Sequence, residues 1–131
     1  MNEADRQPTV MIVDDVPENL TLLSMILQKE QYRVQVFTNG PEALQFAAQS
    51  PPDIILLDIS MPEMDGYQVC EKLKADETLH RIPVLFVSAL ADVQQKVKGF
   101  EAGAQDYITK PFQVPEIRER IKLHLELAWT R

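Results

Sequence analysis

Ile54-Ile55-Leu56-Leu57-Asp58 is a short run, apolar at four consecutive positions and closed by a single carboxylate. Apolar runs of this length, bounded by polar residues, suit strands buried on both faces of a parallel sheet. Three other runs share the pattern. Val10-Met11-Ile12-Val13 ends in Asp14-Asp15, Val84-Leu85-Phe86-Val87 ends in Ser88, and Tyr107-Ile108-Thr109 ends in Lys110. In open parallel sheets ligands bind outside the carboxyl ends of the strands. Three carboxylates, a hydroxyl and an ammonium are therefore expected on one rim, a set suited to a phosphoryl group and a divalent cation.

The segments between these runs read as helices. Pro17 suits a first helical turn, and Leu20, Leu23, Ile26 and Leu27 continue a helical stripe to about Lys29. Arg33–Phe37 alternates Val34 and Val36 as a strand near an edge does. Asn39-Gly40-Pro41 opens a helix carrying Ala43, Leu44, Ala47 and Ala48, which Pro51-Pro52 stops. A loop from Ile59 to Asp65 leads to a third helix with Tyr67, Val69, Cys70 and Leu73 on its apolar side, Asp65-Gly66 being a turn signal. The fourth helix, Asp92 to Ala102, has few large apolar residues, Val93, Val97 and Phe100, and ends at Gly103 as at a C-terminal cap. A last helix runs from about Val114 to the chain end.

Five strand–helix units require right-handed crossovers and helices on both faces of the sheet. The flavodoxin-like (βα)5 doubly wound α/β fold, strand order 2-1-3-4-5, is the common small solution. It makes strands 1, 3, 4 and 5 neighbours, so all four polar ends share the rim.

Composition sets limits. The chain has 131 residues, 45% apolar and 25% charged, which fits one domain with a proper core. A net charge of −7 speaks against non-specific binding to nucleic acid or anionic lipid. The single Cys70 excludes an internal disulfide, and with His80 and His124 remote in sequence no zinc site is expected. Cys70 reads as a buried helix residue. The polar start lacks a signal-peptide core, and no run approaches the ~20 apolar residues that span a bilayer. A cytoplasmic protein is expected, without membrane or direct nucleic-acid contact.

Taken singly, the polar residues have plain structural explanations. Asp14-Asp15 suits a solvated loop or helix cap, Asp58 and Ser88 suit turn or helix caps, and Lys110 suits an exposed surface. Those explanations need four coincidences at four adjacent strand ends. The sequence resembles the receiver domains of response regulators, the modules phosphorylated on aspartate in two-component signalling. The resemblance rests on Val13-Asp14-Asp15, Asp58-Ile59-Ser60-Met61-Pro62-Glu63-Met64-Asp65-Gly66, Val87-Ser88-Ala89, Gly103-Ala104-Gln105-Asp106-Tyr107 and Lys110-Pro111-Phe112. It covers about residues 9 to 127. Residues 1–8 read as a polar tail, 9–128 as the receiver, and 129–131 as a C-terminal end or the start of a linker.

The resemblance implies a role for each residue. It selects Asp58 as phosphoacceptor, a choice the residues alone leave open among Asp14, Asp15 and Asp58. Each pair of like charges at ~4 Å costs on the order of 4 kcal/mol at an effective dielectric of 20. Mg²⁺, a hard cation with oxygen ligands, relieves this. Asp15 is expected as a direct ligand, Asp14 directly or through water, with Asp58 and the Ser60 carbonyl completing the protein's share. Lys110 supplies charge to the phosphoryl oxygens and Ser88 a hydroxyl hydrogen bond. Ala89 leaves room for the donor or water, and Lys110-Pro111 resembles the family's cis peptide. Leu90 is apolar where many members carry a polar residue, so the acyl-phosphate lifetime is left open.

Phosphorylation is expected to draw Ser88 toward the phosphoryl group and Tyr107 inward, remodelling the face of helix 4, strand 5 and helix 5. The expected partner is a sensor histidine kinase or phosphotransfer protein. In the last helix Ile117, Ile121 and Leu125 should pack on the sheet. Leu123 and Leu127 form a second stripe, followed by Trp129, that reads either as a homodimer face or linker root, or as an ordinary surface. An output domain beyond Arg131 is a further expectation.

Three other functions fit less well. A haloacid-dehalogenase-type phosphatase carries Asp-x-Asp after strand 1. A flavodoxin needs a Ser/Thr/Gly-rich loop where Val16-Pro17-Glu18-Asn19 stands. The remaining alternative is a receiver-like interaction module that works without phosphorylation. The protein is expected to have no external substrate to turn over.

Overall fold

The computed structural model describes residues 7–89 and 93–129. Most of the expected N-terminal tail, Leu90, the Asp92 start of helix 4 and the Arg131 end lie outside the described residues. The elements alternate as β1 (Thr9–Val13), α1 (Pro17–Lys29), β2 (Arg33–Phe37), α2 (Gly40–Gln49) and β3 (Ile54–Asp58). They continue as α3 (Gly66–Ala75), β4 (Val84–Ala89), α4 (Val93–Ala102), β5 (Asp106–Lys110) and α5 (Val114–Trp129). All strand pairs are parallel, in the order β2-β1-β3-β4-β5. This is the flavodoxin-like doubly wound fold.

The period of two along each strand divides one apolar run between two cores. Val10, Ile12, Ile54, Leu56, Leu85, Val87 and Ile108 pack against Leu20, Leu23 and Leu27 of α1 and Ile117, Ile121 and Leu125 of α5. Met11, Val13, Ile55, Leu57, Val84, Phe86 and Tyr107 pack against α2 and α3 through Ala43, Ala47, Val69, Cys70 and Leu73. Every residue of β3 is buried. Burying each such Leu or Ile contributes about 1.5–3 kcal/mol, which fixes β3 at the centre of the sheet.

The helix starts follow local chemistry. Asn39 caps α2, its Oδ1 accepting from the Glu42 amide at 2.9 Å. Asp65 is more than a turn residue: it caps α3 in a reciprocal box with Gln68, at 2.9 and 3.0 Å. Gly103 ends α4 at φ 109°, a left-handed conformation that glycine adopts at no steric cost.

The structure departs from the sequence reading at the strand ends and at Trp129, and adds detail at α4. Asp58, Ser88 and Lys110 belong to their strands instead of following them, since the ladders extend to Asp58↔Val87 and Ala89↔Lys110. Helix α4 leaves Val97 and Phe100 each 52% exposed, with the Phe100 ring set edge-on to Tyr107 at 5.2 Å between centroids. It approaches the sheet through Gly99, where an added Cβ would lie 2.7 Å from the Phe86 ring. Trp129 packs against the α1–α5 core and does not extend the outer stripe, leaving Leu123 and Leu127 as its exposed members.

Candidate functional site

Parallel register brings the polar ends together. Val13 lies opposite Leu57, so Asp14 is level with Asp58. Ser88 is one residue beyond the Asp58↔Val87 pair, and Lys110 sits opposite Ala89. One carboxylate oxygen from each of Asp14, Asp15 and Asp58 falls within 4.8 Å of the others. Lys110 Nζ lies 3.4 Å from Asp58 Oδ1. That separation exceeds the ~2.7–2.9 Å of a tight charged hydrogen bond, so the ammonium has slack to reach a further anion.

The electrostatics of this group are unbalanced. Asp14 is 1% and Asp58 5% exposed. At an effective dielectric near 20, each pair of carboxylates at this spacing repels by about 3 kcal/mol, and one lysine offsets part of it. Burial, then the charge of Asp14, push the Asp58 carboxyl up to about 6; Lys110 opposes this by charge and hydrogen bond, while Asp15 adds to it. A hard cation with oxygen ligands fits such a donor set, with room for phosphate and water oxygens.

The two leading acids differ in their freedom. Asp14 is bonded at the approach to α1: Oδ1 accepts from the Val16 amide at 2.8 Å and Oδ2 from Asn19 Nδ2 at 3.1 Å. These bonds aim it into the rim; α1 itself, with Val16 at its N-cap, has no side-chain cap bond. Asp15 is partly exposed. The loop after Asp58 folds tightly back, with Gly66 N donating to the Ile59 carbonyl at 2.9 Å and Glu63 at φ 68°. A Cβ on Gly66 would lie 2.3 Å from the Asp58 carbonyl, so this position requires glycine. Ser60 is exposed in that loop, two residues beyond Asp58. The Lys110–Pro111 peptide is cis.

Ser88 is buried on the rim, yet its hydroxyl is turned toward α4. Its Oγ lies 3.2 Å from Gln95 Oε1 and 3.3 Å from the Ala89 carbonyl. Tyr107 is buried, 4% exposed. Its hydroxyl donates toward the Gln95 and Lys96 carbonyls at 2.8 and 2.6 Å. Gly99 makes the seat, because a Cβ there would come within 1.8 Å of the Tyr107 hydroxyl.

Several contributors escaped the sequence reading. Tyr67 of α3 stacks edge-on to Phe86 at 5.4 Å between ring centroids and donates to the Gln95 carbonyl at 3.1 Å. Asp106 ties β5 to α5, accepting from Arg120 Nη1 at 2.6 Å and pairing with His124 Nε2 at 2.9 Å. Burial raises the Asp106 carboxyl, but bonds from His124, the Tyr107 amide and Arg120 outweigh it and hold the group low. The i, i+4 spacing of Arg120 and His124 was the available signal. No described helix is long and apolar enough to cross a membrane.

The chain matches the response regulator receiver domain family over residues 10–122. It is 42% identical over 115 residues to the DNA-binding dual master transcriptional regulator RpaA of Synechocystis sp., covering 88% of this chain and 48% of that protein. The chain thus spans about half the length of that curated relative, and 25% of another, the response regulator PleD of Caulobacter vibrioides, at 43% identity over 86% of this chain. Among solved structures, the receiver domain of a sensor histidine kinase of Pseudomonas aeruginosa PAO1 superimposes with TM-score 0.85 at 28% identity. The match covers 92% of this chain and 99% of that one, which holds a magnesium ion in its active-site cleft.

Proposed function

From the premise that this chain belongs to the response regulator receiver domain family, we propose that it accepts a phosphoryl group on Asp58 from a phosphohistidine. The donor would be a sensor histidine kinase or a phosphotransfer protein. The observation carrying this reading is the gathering of Asp14, Asp15 and Asp58 within 4.8 Å, with Lys110 Nζ 3.4 Å from the Asp58 carboxylate.

In the proposed reaction an Asp58 oxygen attacks phosphorus, the P–N bond to the donor imidazole breaks, and the imidazole nitrogen keeps the electron pair. With its carboxyl near 6, Asp58 is mostly ionised at neutral pH and therefore nucleophilic. Lys110 meets the charge on the phosphoryl oxygens, and Ser88 turns its hydroxyl to one of them. Asp14, Asp15, Asp58 and the Ser60 carbonyl would hold Mg²⁺. When bound, the cation neutralises charge shared by the carboxylates and the phosphoryl oxygens. Water later attacks the acyl phosphate and releases inorganic phosphate. The receiver itself would turn over no external substrate.

Acyl phosphorylation takes Asp58 from about −1 to about −2. The added charge would act through Ser88 on the surface of α4, β5 and α5. A phosphorylation-dependent output through that surface, an output domain outside this chain, a contact through Leu123 and Leu127, and a cytoplasmic location all belong to this proposal. Incubation with acetyl phosphate and Mg²⁺, followed by intact mass, tests it. The expected result is one added phosphoryl group on the wild type and none on Asp58→Asn. An unmodified wild type would favour a phosphorylation-independent interaction module.

A further inference from the structure

The Ser88 hydroxyl has one proton to give and sits between two acceptors. Gln95 Oε1 on α4 lies 3.2 Å away and the Ala89 carbonyl 3.3 Å away. The backbone carbonyl of the same Gln95 receives the hydroxyls of Tyr67 at 3.1 Å and Tyr107 at 2.8 Å. A single residue thus joins β4, α3 and β5 at the start of α4. We propose that Gln95 is a positioning residue of the switch. Its side-chain amide holds the Ser88 hydroxyl on α4 in the unphosphorylated protein and must release it when Asp58 carries a phosphoryl group. This rests on the phosphoacceptor reading and adds to it a named competitor for the hydroxyl.

The competition follows from donor inventory. A serine can donate one hydrogen bond, so donation to a phosphoryl oxygen ends donation to Gln95. The Gln95 contact is longer than the ~2.7–2.8 Å usual between oxygens. A bond to an anionic oxygen is roughly twice as strong as one between neutral groups, so the phosphoryl group wins. Release frees one tether of the first turn of α4, while the two phenols still hold that turn by its carbonyl. Occupancy at Asp58 is thereby converted into freedom of α4, whose Val97 and Phe100 are each 52% exposed, the Phe100 ring also lying edge-on to Tyr107.

The probe is beryllofluoride with Mg²⁺, titrated calorimetrically. Gln95→Leu removes the acceptor and keeps the backbone carbonyl; Gln95→Glu restores an acceptor at the same place. Losing a competing hydrogen bond should tighten binding about fivefold in Gln95→Leu. Gln95→Glu should bind no tighter than wild type, and Gln95→Leu should gain nothing in a Ser88→Ala background. In the resting protein, Ser88→Ala should shift the Gln95 side-chain amide resonances. Gln95→Met provides the same test if the leucine variant is poorly folded. Equal affinities of wild type and a folded Gln95→Leu or Gln95→Met, or a gain that survives Ser88→Ala, would overturn the inference and leave the phosphoacceptor reading intact. A wild type that binds no beryllofluoride would remove both.

Discussion

Replacing Asp58 by Asn should stabilise the metal-free protein at neutral pH. Burial and Asp14 lift the Asp58 carboxyl from 3.8 to about 6. At about 1.36 kcal/mol per unit, ionising Asp58 in the folded state therefore costs about 3 kcal/mol. Asparagine keeps the shape and removes that cost. Lys110, whose side chain is 35% exposed, already lowers that carboxyl, so loss of its contact is contained in the net value. Relief of desolvation and repulsion together leaves a gain of about 3 kcal/mol, or roughly 10–15 °C in Tm for a domain of this size. The sign depends on pH. Because the folded carboxyl is raised above 3.8, the wild type has its full stability from this group below 3.8 and loses it as pH rises through about 6. The advantage of Asp58→Asn should therefore be small at pH ~4 and full at pH ~7.5. Thermal unfolding in EDTA at the two pH values measures it. An advantage that is absent at the higher pH, or equal at both, would show that burial and the neighbouring acids do not penalise the Asp58 charge.

Saturating Mg²⁺ should raise the wild-type Tm, by about 2.7 kcal/mol of stability at one hundred times the dissociation constant, and should do so far less in Asp15→Asn; calorimetric scans check this. Lys110→Ala should slow phosphorylation by acetyl phosphate on the order of 10²-fold, read by timed intact mass, and should raise the Asp58 carboxyl further because Lys110 now lowers it. Gly99→Ala should expel the Tyr107 ring, since the new Cβ would lie 1.8 Å from its hydroxyl. The expected cost is about 1–3 kcal/mol, with Tyr107 newly reactive to nitration; a protected Tyr107 in a stable Gly99→Ala protein would contradict the seat described for it.

The parallel sheet and the charged part of its rim were legible because buried strands leave continuous apolar runs, and each run here stops at a chemically distinctive residue. The pattern says little about α4 for a physical reason. That helix comes closest to Phe86 and Tyr107 at Gly99, which has no side chain to register as apolar, while Phe100 is half exposed with its ring edge-on to Tyr107. Tyr67 read as an ordinary core aromatic because its ring does pack in the core; its hydroxyl contact depends on where Gln95 comes to lie. Gln95 itself left no trace in the sequence, since a glutamine on a polar helix is unremarkable until its neighbour across space is known. Asp14 accepts from the Val16 amide just before α1 and also lies beside Asp58, so the plain and the functional explanations do not compete.

The central claim is that a phosphoryl group forms its bond at Asp58 and nowhere else on the acidic rim. Borohydride reduction converts an aspartyl phosphate to homoserine, and peptide mass mapping then locates the residue. After treatment with acetyl phosphate and Mg²⁺, homoserine is expected at position 58 alone. Conversion at Asp14 or Asp15, or none at any aspartate while the intact protein gains a phosphoryl group, would contradict the account.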